Sequence, residues 1–91
     1  MATVERRLKV TEEAGLHARP AAAFAQAAAG VAAEVTVARA DAASQEAHVP
    51  ARSVLSVLTL NIRYGDEIVL RATGDDAESA LEALARIAAP A

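Results

Sequence analysis

The sequence predicts an α+β fold of order β-α-β-β-α-β-α, a four-stranded antiparallel sheet covered on one face by three helices. Three observations predict it. Apolar and polar residues alternate over residues 4–11, 34–40 and 67–73, the period of half-buried strands. Residues 18–29 and 77–88 carry apolar or alanine positions at helical spacing. A further short strand over residues 45–49 follows the second without a helix between, which calls for an antiparallel hairpin.

In the first strand Val4, Leu8 and Val10 share one face, interrupted by Arg6, while Glu5, Arg7, Lys9 and Thr11 take the other. Residues 12–15 read as a turn. The alanine-rich helix starts near residue 18, because Pro20 fits only a first turn, and Gly30 supplies its stop. Val35 and Val37 face inward on the second strand. Residues 41–44 form a loop, and Ala47 and Val49 point one way on the third strand, with Glu46 and His48 opposite and Pro50 ending it. Ser53 before Val54, Leu55, Val57, Leu58 and Leu60 reads as the N-cap of a short helix, although the β-branched valines leave a strand as the rival. Residues 61–66, with Gly65, turn into the strand that buries Ile68, Leu70 and Ala72. Asp75 and Glu78 resemble a capping box opening the last helix, whose Ala77, Ala80, Leu81, Leu84, Ile87 and Ala88 line one face and whose Glu82 and Arg86 form an i,i+4 pair.

Composition narrows the function. A chain of 91 residues fits one domain, taken as residues 1–91, with a thin core and little room for a deep cleft. Cysteine is absent, which excludes thiolate metal sites, disulfides and thiol nucleophiles. The net charge of −3 and the presence of only Phe24 and Tyr64 as aromatics argue against nucleic acid as a partner. Charges within the first ten residues are unlike a signal peptide, and no apolar run is long enough to insert directly into a membrane. The expectation is a cytoplasmic protein, working as a monomer, without cofactor or metal.

The chemistry concentrates at Gly15-Leu16-His17-Ala18-Arg19-Pro20. A helix start offers unpaired N–H groups and partial positive charge, a natural receptor for phosphate. Ala18 and Arg19 supply amides there and Arg19 a guanidinium, so both are candidate phosphate-binding residues. Neutral imidazole is a nucleophile near pH 7, and a helix start disfavours its charged form. His17 is therefore the candidate reacting group, with Arg19 beside it. The alternative is an ordinary surface histidine next to a helix, and the residues alone leave the two readings level.

The run GLHARPAA over residues 15–22 resembles the active-site signature of HPr, the histidine-containing phosphocarrier family of the bacterial phosphoenolpyruvate:sugar phosphotransferase system. Arg52-Ser53-Val54-Leu55 resembles the family's second motif, and Leu58-Thr59-Leu60 and Gly65-Asp66-Glu67-Ile68 match the stretch that follows. The resemblance implies an open-faced β-sandwich. It implies that His17 accepts a phosphoryl group at Nδ1 from phosphorylated Enzyme I and donates it to sugar-specific IIA domains of the permeases. The chain then carries phosphate between enzymes and is not one itself. It gives Arg19 the steadying of phosphate and partner, and Val54, Leu55 and Leu58 the role of a partner-docking patch, against the alternative that they are core. It makes Ser53 a site of regulatory phosphorylation by a serine kinase, reversed by a phosphatase, against the alternative of a plain N-cap. Ser56 and Asn61 depart from the family, which often has glycine there. The stretch 31–50 is longer than usual, which points to an extended second hairpin.

Three other readings compete. A regulatory binding module of the same fold is opposed by His17. A metal site using His17 and His48 lacks carboxylate or thiolate partners. A ferredoxin-like domain without a site leaves GLHARPAA unexplained.

Overall fold

The computed structural model describes residues 3–41 and 47–90. Its elements are β1 (Thr3–Lys9), α1 (Ala18–Ala29), β2 (Glu34–Arg39), β3 (Val49–Pro50), α2 (Val54–Thr59), β4 (Glu67–Thr73) and α3 (Ala77–Ala88). The strands form one antiparallel sheet in the order β1-β4-β2-β3. The helices lie on one face, so the predicted open-faced arrangement is the one observed.

Period-two burial fixes which face is covered. On β4, Ile68, Leu70 and Ala72 are fully buried while Glu67, Val69, Arg71 and Thr73 turn away. Val35 and Val37 do the same on β2. Leu81 and Leu84 from α3, Phe24 from α1 and Val57 from α2 close the core from the other side. Alanine-rich α1 has Phe24 as its one large buried side chain; small Ala21, Ala25 and Ala28 fill the rest of its inner stripe. Arg6 stands on the inward face of β1 and resolves its break in the pattern by reaching Glu82 of α3 at 3.2 Å.

Several boundaries differ from expectation. β1 ends at Lys9 because the next N–H groups leave the ladder: Val10 donates to the carbonyl of Asp66 at 2.8 Å and Thr11 to that of Ala88 at 3.0 Å. Gly30 ends α1 in a right-handed conformation (φ −87°), so its freedom at positive φ is not what stops the helix. The third strand is Val49–Pro50, paired with Thr36 and Val37. Pro50 lies inside it, which an edge strand tolerates because one side of its backbone has no ladder partner. Ala47 and His48 precede this strand; Gln45 and Glu46, with much of the expected longer hairpin, lie outside the described residues. The segment after Ser53 is a helix, as read, with Val57 buried. The Asp75–Glu78 capping box does not form. Asp76 is the N-cap of α3, at φ 59°, without a side-chain cap bond. The Glu82–Arg86 pair is present at 3.4 Å.

Candidate functional site

The loop from β1 to α1 is held from three sides. Gly65 and Asp66 exchange backbone bonds with Val10, each at 2.8 Å. The carbonyl of Ala88, at the end of α3, accepts from Thr11 and Glu12 at 3.0 and 3.1 Å. Leu16 donates its N–H to the carbonyl of Ile62 at 3.0 Å, and its side chain is fully buried. Burying a leucine is worth about 2 kcal/mol, so Leu16 plugs the loop into the core. Gly15 lets the backbones meet: at φ 67°, a Cβ there would stand 2.4 Å from the Ile62 oxygen and 2.7 Å from Arg63 Cα.

His17 follows directly as the N-cap of α1, extended (φ −127°, ψ 164°) and half-buried, with no side-chain bond to the helix. Its carbonyl accepts the first helical bond, from Ala21 at 3.3 Å. Pro20 has no N–H. The amides of Ala18 and Arg19 have no acceptor among the described residues, and both residues are exposed. Ala18 sits at φ 50°, a left-handed conformation that costs a non-glycine residue about 1 kcal/mol or more. The buried Leu16 before it and the helix after it hold it there. The outcome is a helix start with an imidazole at its lip, two free amides and a guanidinium. No described residue caps it.

The other residues singled out in the sequence lie on or before α2. Ser53 is its N-cap and accepts from the Ser56 N–H at 3.2 Å. Val54, Leu55 and Leu58 are exposed, Leu55 by 74%. The segment leaving α2 contains Ile62 and Arg63, on which the His17 loop rests. The two regions are thus joined through that segment. Sequence reasoning missed Tyr64, 63% exposed on the same turn; the available signal was an aromatic beside Gly65 in a segment with no strand to bury it.

His48 stands apart, beside β3, with Nδ1 3.2 Å from the Thr36 hydroxyl. Burial holds its ring below the ordinary histidine value, Arg71 adds to this, and Glu5 opposes it. The structure does not bring it together with His17 in any acidic or imidazole cluster. Among the described residues no three His, Cys, Asp or Glu side chains converge as metal ligands, and no helix is long and apolar enough to cross a membrane.

An open-faced β-sandwich whose first helix begins at an uncapped histidine has the frame of the small phosphocarriers. The family model described as PTS HPr component phosphorylation site matches residues 4–89. The phosphocarrier protein HPr of Streptomyces coelicolor is 46% identical over 85 residues, covering 93% of this chain and 87% of that protein. HPr of Haloferax volcanii is 44% identical over 89% of this chain and 88% of its own. The crystal structure of HPr from Bacillus anthracis superposes with a TM-score of 0.86 at 36% identity, covering 97% of this chain and 99% of that one. The chain belongs to the HPr family of the phosphotransferase system.

Proposed function

We propose that His17 is the phosphoryl acceptor and that the chain works as one phosphocarrier domain between phosphorylated Enzyme I and IIA proteins. The observation that carries this reading is the uncapped start of α1: a half-exposed imidazole next to the unpaired amides of Ala18 and Arg19. The Nδ1 lone pair of neutral His17 attacks the phosphorus of the donor, a P–N bond forms, and the bond from phosphorus to the donor breaks. Phosphorylation adds about −1.5 to −2 charges. Unpaired amides, and the guanidinium of Arg19 two residues on, stabilise such a charge, as preorganised donors do at a reacting centre. In the reverse sense, a IIA nucleophile takes the phosphoryl group and the electron pair of the P–N bond returns to the ring. The chain gains and loses the same group and turns over no substrate of its own, so it acts as an intermediary and not as an enzyme.

On the same reading, Val54, Leu55 and Leu58 dock partners beside the histidine. Exposed apolar side chains rimmed by polar groups suit contacts that must form and part quickly. Ser53 is the regulatory position. A phosphate there meets the positive end of α2 but places charge and bulk on the docking side. These partners and the phosphoenolpyruvate source imply a cytoplasmic setting.

Incubation with Enzyme I and phosphoenolpyruvate tests the central claim. An acid-labile, base-stable phosphate is expected on the wild type and absent from His17→Ala. Label that persists in His17→Ala defeats the assignment.

A further inference from the structure

Arg39 ends β2 on the strand face it shares with Val35 and Val37, the face the helices cover. Its Nη1 donates to the carbonyl oxygens of Leu60 and Asn61, each at 3.3 Å, and to Asp66 Oδ2 at 3.0 Å. Its Nε donates to Asp41 Oδ1 at 3.2 Å. Leu60 is the C-cap of α2, and Asn61 follows at φ 51°. A helix end leaves carbonyls without intrahelical donors and carries partial negative charge. A planar guanidinium, with several N–H groups and a fixed charge, satisfies both needs at once. Asp66 also accepts the N–H of Arg63 at 2.8 Å. Arg39 and Asp66 therefore grip the turn over residues 61–66 at both ends.

That turn is the bed of the His17 loop. The Ile62 carbonyl takes the Leu16 N–H, Arg63 Cα lies against Gly15, and the Asp66 carbonyl takes the Val10 N–H. We infer that Arg39, with Asp66 as its counter-ion, is a positioning residue for the phosphate-accepting site. It fixes the exit of α2, and through Gly15 and Leu16 this sets His17 at the start of α1 in a constant relation to the apolar face of α2. The inference rests on the reading of His17 as acceptor. Arg39 touches no reacting atom and contributes only through this placement. The ionisation of the pair agrees: the Arg63 N–H first, and Arg39 second, hold the Asp66 carboxyl below the usual carboxylate range, and Asp66 foremost strengthens the charge on Arg39.

The test uses two readouts that need no partner, amide exchange at Leu16 and the NMR signals of the His17 ring, together with the kinetics of phosphate acceptance from Enzyme I. In Arg39→Ala, exchange at Leu16 is expected to quicken about fivefold or more, as local opening becomes easier, while Leu70 in the sheet stays protected. The His17 ring signals shift. Acceptance slows about tenfold, on the scale set by displacement of a reacting group. Arg39→Lys, with one compact charge, recovers part of each effect. Asp66→Asn moves the same signals in the same direction and serves if Arg39→Ala fails to fold. Arg7→Ala breaks an exposed ion pair with Glu67 (3.5 Å) and leaves all three readouts at wild-type values. A wild type that takes no phosphate sinks the acceptor reading. A wild type that takes it, while folded Arg39→Ala or Asp66→Asn leaves Leu16 and His17 unmoved, sinks the positioning role.

Discussion

Two helix starts in this molecule have opposite designs. At α2, Ser53 folds its hydroxyl back and accepts the Ser56 N–H, so the end is closed by the protein itself. At α1, His17 stands in the capping position without capping anything, Pro20 has no N–H to satisfy, and the amides of Ala18 and Arg19 remain open. Both ends carry the same partial positive charge. The difference teaches that a capping side chain spends an anion site on stability, whereas an imidazole that declines the role leaves the site open, as the proposed acceptance of phosphate requires.

Three experiments press on this contrast, beginning with the largest effect. Arg19→Glu places a negative charge at the open end; phosphate acceptance should fall about a hundredfold, the scale of losing a preorganised charge stabiliser, with unfolding midpoints near wild type. Rates within a factor of two of wild type would show that the open end does not depend on this cation. Gly15→Ala drives a Cβ into the Ile62 carbonyl and occupies positive φ. It should cost about 2 kcal/mol or more in urea unfolding and slow acceptance as well. Loss of stability with normal transfer would mean that the loop's seat is unimportant to the histidine. Ser53→Ala should cost about 1 kcal/mol by removing the cap, with acceptance at His17 nearly unchanged. An equal loss of acceptance would erase the distinction between the two ends.

The smallest effect concerns a third polar position, away from both ends. His48 titrates below the ordinary value of 6.5, chiefly through burial. Because its folded value is depressed, the unfolded chain takes up the proton first as pH falls. The associated stability is complete above the unfolded value and is lost as pH drops through the folded one. Wild-type unfolding midpoints should decline modestly between pH 7.5 and 5 more than those of His48→Gln. Parallel curves would remove His48 from the balance.

The sequence carried most of the fold because its strands and last helix obey clean periods. β4 is a strict alternation, and α3 shows an uninterrupted apolar stripe. The seat of His17 was legible too, since Pro20 tolerates only a first turn, while Gly30 marked the helix end without using positive φ. What could not be read was set by contacts distant along the chain. The end of β1 depends on the carbonyls of Asp66 and Ala88. Pro50 reads as a stop locally, yet it sits within an edge strand whose partner is chosen by β2. Asp75 and Glu78 have the letters of a capping box, but Asp76 takes the N-cap in a left-handed conformation that points no side chain at the helix. Arg39 carries no local signal of its partners, and only the fold shows α2's carbonyls in front of it. Leu55 and Val57 are both apolar within α2, and the helix phase alone decides that the first is exposed and the second buried.

The hydrogen bond from Leu16 to Ile62 has a consequence for the order of events during synthesis. Residue 17 leaves the ribosome early, but the bed beneath it is made much later, and β1 pairs with β4. Pairings so far apart along the chain form late, after much loop entropy has been lost. A nascent chain halted before Ile62 therefore exposes the histidine on a tether with no seat, and the carrier becomes competent only when its final third has emerged and folded.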